Sequence, residues 1–133
     1  MNLILITGPA GAGKSTKAQQ LMSDRTIRYN FEADQWMVDQ EGNYCFDPKR
    51  LHYCHKQCQC YTEAVMRLKQ DVIVSNTSLT KKEAKPYIEL AKKYDYRIEI
   101  IHLTTQFDNL HGVPPEKIKQ MHKKREFFNL EDF

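Results

Sequence analysis

The stretch Gly8-Pro9-Ala10-Gly11-Ala12-Gly13-Lys14-Ser15 follows the apolar run Leu3-Ile4-Leu5-Ile6-Thr7 and leads directly into Thr16-Lys17-Ala18-Gln19-Gln20-Leu21-Met22. These residue types at this spacing carry the chemistry of phosphate binding. Glycines let the backbone turn its N–H groups inward around phosphate oxygens, and the first turn of the following helix adds its positive dipole end. Lys14 would reach the β and γ phosphates, Ser15 has the short hydroxyl that binds Mg²⁺ in such loops, and Thr16 continues the helix. Gly8, Pro9, Ala10, Gly11, Ala12, Gly13, Lys14, Ser15 and Thr16 therefore form a candidate Walker A loop for ATP. The glycine fingerprint of dinucleotide folds fits only in part, because Gly11-Ala12-Gly13-Lys14-Ser15-Thr16 lacks the third Gly or Ala.

Two further polar clusters fall where strands should end. Thr26-Ile27-Arg28-Tyr29-Asn30-Phe31 alternates polar and apolar residues and runs into Glu32-Ala33-Asp34-Gln35-Trp36, so Asp34 is expected near the phosphates at the carboxyl edge of a sheet. A cap for the short segment starting at Gln35 is the other reading of Asp34. Asp71-Val72-Ile73-Val74-Ser75 reads as a buried parallel strand that delivers Asn76, Thr77 and Ser78 to the same edge. Asn76 and Thr77 are candidates for orienting substrate or metal-bound water there, with capping and turn formation as the alternative.

The elements that must position these groups alternate. A strand at 3–7 precedes a helix from about Gly13 to Ser23, broken by Asp24-Arg25, and the second strand follows. Glu41-Gly42-Asn43-Tyr44 reads as a turn. Asp47-Pro48 is an N-cap with proline at the first helical position, opening a helix to about Lys69. Within it, Leu51, Cys54, Cys58, Tyr61, Val65 and Leu68 recur at helical spacing as the apolar stripe. Cys54 and Cys58 are then buried reduced thiols rather than zinc ligands, since no Cys-x-x-Cys pair accompanies them. Thr80-Lys81-Lys82-Glu83 is a capping box that starts a helix to about Tyr94, and Tyr96 to Leu103 forms the fourth strand. A loop from Thr104 to Val113 leads to Pro114-Pro115-Glu116 and a basic amphipathic helix to about Phe128, after which Leu130 and Phe133 should fold back on the core. This alternation argues an α/β fold with a parallel sheet of about four strands, helices on both faces and the Walker A strand in the middle.

With 133 residues and 41% hydrophobic content, the chain has material for one compact core, so residues 1–133 are expected to form a single domain. A formal charge of +3 fits an anionic substrate without requiring a nucleic acid. The apolar start is too short for a membrane span or a signal peptide, which points to a cytoplasmic protein without a membrane partner; oligomeric state is not legible.

Taken together, several stretches resemble the kinase domain of the phage polynucleotide kinase family and related small AAA-type ATP-binding proteins. Beside the Walker A loop, the resemblance rests on Phe31-Glu32-Ala33-Asp34-Gln35-Trp36, on Val72-Ile73-Val74-Ser75-Asn76-Thr77-Ser78-Leu79 and on His111-Gly112-Val113-Pro114. It implies an adenylate-kinase-like P-loop fold and transfer of the γ-phosphoryl of Mg-ATP to an acceptor hydroxyl, first among them the 5′-hydroxyl of a nucleic acid. A small-metabolite or nucleoside kinase and a non-catalytic ATP-binding module are the alternatives. Asp34 matches the family aspartate that accepts the proton of the acceptor hydroxyl. The chain also departs from the family. Ser75-Asn76 holds no carboxylate where relatives usually carry an aspartate, Met37 stands where an arginine follows the aspartate loop, and Asp108 occupies a lid position that is arginine in relatives. No arginine lies between Arg97 and Arg125. Arg125, beside Lys117, Lys119, Lys123 and Lys124 on the last helix, is therefore the candidate cation for the transferred phosphoryl, with a solvated helix face as the other account of these charges.

Overall fold

Leu3, Ile4, Leu5 and Ile6 have no solvent exposure, so the first strand must be covered on both faces. The computed structural model describes residues 1–9, 13–76, 80–103 and 128–133. Its strands are β1 (Asn2–Thr7), β2 (Tyr29–Phe31), β3 (Val72–Ser75) and β4 (Arg97–His102). They form one parallel sheet in the order β2-β3-β1-β4, with β1 inside it as expected. Three helices, α1 (Lys14–Arg25), α2 (Leu51–Arg67) and α3 (Lys81–Lys93), connect the strands. Alternation along β1 divides its side chains between two clusters. Leu3 and Leu5, with Val72 and Val74, pack against Cys54, Cys58, Val65 and Met66 of α2 and Ala84, Tyr87 and Ile88 of α3. Ile4 and Ile6, with Ile73, pack against Ala18 and Leu21 of α1 and against Ile27.

Helix ends follow their local chemistry. Asp47 accepts a hydrogen bond from the Lys49 amide at 3.0 Å, and Pro48 opens a 3₁₀ turn, Pro48–Arg50, that runs straight into α2. Thr80 caps α3 by accepting from the Glu83 amide at 3.3 Å. Asp39 accepts from the amides of Glu41 and Asn43, and Gly42 takes φ of 85°, which closes the expected turn beneath the Val38–Tyr44 bridge.

Four expectations need correction. α1 does not stop at Ser23: Arg25 remains helical and its guanidinium donates to both Glu99 carboxylate oxygens, at 2.9 and 3.0 Å. The helix ends instead at Thr26, in the left-handed region at φ of 57°, which leaves only Tyr29–Phe31 for β2. The buried face of α2 is Cys54, Cys58, Thr62, Val65 and Met66, whereas Leu51, Tyr61 and Leu68 are 40%, 50% and 65% exposed. The Thr62 hydroxyl donates to its own helix at the Cys58 carbonyl, 2.7 Å away, so this face can turn inward without leaving the hydroxyl unsatisfied. Phe133 packs on the core, with Phe128 edge-on to it at 5.6 Å, but Leu130 is 45% exposed. The expected loop from Thr104 and the basic helix that follows lie, up to residue 127, outside the described residues. Among the described residues no helix is long and apolar enough to cross a membrane.

Candidate nucleotide and phosphoryl-transfer site

Parallel strands deliver their carboxyl ends to one edge, and here β1, β2 and β3 bring Gly8, Glu32 and Asn76 there. After β1, Gly8 and Pro9 are buried, and Gly13 begins α1 at φ of 89° and ψ of 24°, a left-handed conformation that glycine adopts without strain. The Lys14 ammonium is turned into the loop and donates to the carbonyls of Gly8 at 2.9 Å and Pro9 at 3.0 Å. Thr16 is exposed on the first turn of α1. Ala10, Gly11 and Ala12 lie outside the described residues, as do Thr77, Asp108 and Arg125.

Ser15 is linked to the segment that carries Asp34. Its hydroxyl donates to Glu32 Oε1 at 3.0 Å. Glu32 caps the 3₁₀ turn Ala33–Trp36 through a capping box, in which Gln35 Oε1 accepts from the Glu32 amide at 2.9 Å. Asp34 is therefore not the cap but the second residue of that turn. Its side chain is exposed. The turn is fastened from below, because the Ala33 amide donates to Asn76 Oδ1 at 2.7 Å and Met37 is fully buried. Asn76, 4% exposed, spends the rest of its amide on the Tyr87 hydroxyl at 3.1 Å and Cys58 Sγ at 3.6 Å. Asn76 thus locks the Asp34 turn to β3, α2 and α3.

Replacing Asn76 with alanine leaves the Ala33 N–H without its partner in a buried place and takes the amide donor from the Tyr87 hydroxyl, and is expected to cost about 1–3 kcal/mol. Urea unfolding measures it; a loss below about 0.5 kcal/mol, the scale of an ordinary surface substitution, would mean that the amide does not hold the turn.

The charge of Asp34 acts on other groups. Partial desolvation raises the Tyr44 hydroxyl above its ordinary value although the residue is 63% exposed, and the negative charge of Asp34 adds to the rise. Burial likewise raises the Cys54 thiol, with Arg50 lowering it and Asp34 raising it. The Cys58 thiol is raised by burial against hydrogen bonds from Tyr87, Asn76 and Thr62. Cys54 and Cys58 are buried free thiols, as their helical spacing implies, while Cys45 and Cys60 are exposed. Among the described residues no group of three His, Cys, Asp or Glu side chains is placed to hold a metal ion.

Sequence reasoning gave no role to Glu32 or Ser75, although both stand in the motifs that carried the resemblance. Ser75, 2% exposed, has its hydroxyl 3.0 Å from Glu32 Oε1 and 2.8 Å from Asn30 Oδ1. The one signal available was a carboxylate directly after β2.

The model of an AAA domain family, AAA_33, matches residues 3–127. The chain belongs to this family. Its AAA domain is 31% identical over 129 residues to NEDD4-binding protein 2 of Homo sapiens, covering 90% of this chain and 7% of that protein. Among solved structures it is similar to the Pnkp1/Rnl/Hen1 complex, with a TM-score of 0.64 and 20% identity over 99% of this chain and 43% of the other. A gluconokinase from Sinorhizobium meliloti 1021 gives a TM-score of 0.64 and 16% identity over 95% of this chain and 75% of that one. At such identities the two structures show the fold, and it is that of small P-loop kinases. The chain spans a small part of the human relative and less than half of the Pnkp1 complex chain.

Proposed function

We propose that this AAA-family domain is a P-loop kinase that moves the γ-phosphoryl of ATP to an acceptor hydroxyl, with the 5′-hydroxyl end of a nucleic acid as acceptor. The observation that carries the reading is an exposed carboxylate, Asp34, on a turn held from beneath by Asn76 and joined to the Walker A Ser15 through Glu32. In it, the backbone of Gly8 to Thr16 cradles the phosphates, Lys14 exchanges its loop carbonyls for the β and γ oxygens, and Asp34 accepts the proton of the attacking hydroxyl. Asn76 acts through the turn rather than by touching the acceptor, Thr77 is assigned to orient the substrate, and Arg125 to bring positive charge to the equatorial oxygens. Ser15 offers an oxygen donor suited to Mg²⁺, as do the adjoining Glu32 and Ser75. Bound with the nucleotide, Mg²⁺ supplies charge neutralisation at the β and γ phosphates.

The acceptor assignment is supported by the surface that follows Asp34. Tyr44, Phe46 and Tyr53 are 63%, 53% and 47% exposed, and the Arg50 guanidinium stands over the Tyr53 ring at 5.4 Å. Exposed aromatic faces interleaved with cations suit stacked bases and their phosphates. The free thiols accord with work in the reducing cytoplasm.

The test is transfer of labelled γ-phosphate to 5′-hydroxyl DNA and RNA oligonucleotides, nucleosides and sugars. Oligonucleotides are expected to be phosphorylated, with an affinity that falls as salt rises because phosphate contacts release counterions. Salt-independent transfer to a sugar or nucleoside alone would establish a metabolite kinase instead. ATP binding with transfer to none of them would leave a non-catalytic ATP-binding module.

A further inference from the structure

We propose that Glu32 is the carboxylate of the Mg²⁺ site, replacing one at the end of β3; this deepens, and rests on, the nucleotide-binding reading above. Ser75 and Asn76 end β3 without a carboxylate, and the Asn76 amide is fully engaged with Ala33, Tyr87 and Cys58. The order β2-β3-β1 sets the end of β2 beside both. There one oxygen, Glu32 Oε1, accepts from Ser15 Oγ and from Ser75 Oγ, each at 3.0 Å.

Oxygens converge on this place. Ser15, Glu32, Ser75 and Asn30 contribute oxygens to three contacts, yet the two hydroxyls hold one hydrogen each. Ser75 can donate to Glu32 or to Asn30 at any moment, not to both. Asn30 can instead present its amide NH₂ to Ser75, which leaves the Ser15 and Ser75 hydroxyls both free to donate to Glu32 and gathers their oxygens with its carboxylate beside the phosphate loop. Among the described residues no Lys or Arg pairs with Glu32. A half-buried carboxylate that gathers two hydroxyls and, among the described residues, no Lys or Arg suits a hard divalent ion or its hydration water.

Glu32 also caps the Ala33–Trp36 turn, and a glutamine keeps that acceptor while losing the charge. Glu32→Gln therefore separates the two roles. The full chain is titrated with a non-hydrolysable ATP analogue by calorimetry, in EDTA and across a Mg²⁺ series. The variant is expected to melt like the wild type and to bind the Mg²⁺-free analogue within about twofold, but to need about tenfold more Mg²⁺, the lower end of the range for weakened metal sites. Adding Ser75→Asp to Glu32→Gln should lower that requirement again by restoring a carboxylate from β3. An unchanged Mg²⁺ requirement in folded Glu32→Gln overturns the assignment and leaves nucleotide binding intact. Failure of the wild type to bind the analogue in any condition overturns both. A measurement on the wild type needs no variant: Mn²⁺ with the analogue should broaden the backbone amide resonances of Glu32 as strongly as those of Ser15. Broadening at Ser15 that spares Glu32 refutes the proposal.

Discussion

Lys14→Ala is expected to weaken Mg-ATP binding by about tenfold to a hundredfold or more, since a hydrogen bond to a charged group is worth about 1.5–3 kcal/mol and Lys14 would make at least one to the phosphates. The ammonium already points into the loop, where the Gly8 and Pro9 carbonyls hold it at 2.9 and 3.0 Å. Those contacts make the substitution less silent for the fold than its place at the edge of the core implies. About 1 kcal/mol of stability should go with them. Calorimetric titration and thermal melting separate the two effects. Unchanged ATP affinity in the folded variant would rule out the Walker A assignment.

Asp34→Asn should do the reverse: nucleotide binding persists while phosphoryl transfer falls by about a hundredfold or more, the usual worth of a positioned base. Structure strengthens the contrast with a capping role. The cap is Glu32, and Asp34 is an exposed residue of the turn. Stability should therefore stay within about 0.5 kcal/mol, as for an ordinary surface substitution. Steady-state transfer measured beside chemical unfolding decides it; a variant that retains turnover means that another group takes the proton.

Legibility in the sequence followed the strength of the periodic signal. β1, β3 and α3 were readable because their apolar runs and caps are complete within a few residues, and the fold followed from their alternation. α2 was harder, since its stripe is carried partly by a threonine whose hydroxyl is satisfied inside the helix, and hydrophobicity alone selected Leu51, Tyr61 and Leu68 instead. β2 was overextended because nothing in its pattern announces that Thr26 adopts a left-handed backbone. The candidate site divides in the same way. Lys14, Ser15 and Asp34 were singled out as candidates by motif and position. Glu32 was not, because its meaning depends on Ser15 and Ser75, which only the strand order β2-β3-β1 brings against it. Asn76 was legible as a polar residue at the right edge, but whether its amide faces solvent or the Ala33 backbone is a matter of packing.

The position of β1 inside the sheet also sets the timetable on which the molecule is made. β1 leaves the ribosome before both of its neighbours, and it pairs through Leu3–Ile6 with Val72–Ser75 and through Asn2–Thr7 with Arg97–His102. Its four fully buried residues therefore emerge long before either strand that will shield them. Contacts this distant along the chain form slowly, and an unpaired apolar strand is open to wrong partners in the interval. The phosphate loop hangs from the end of that strand. It is therefore synthesised before β3 and β4, the two strands that hold β1 in the sheet.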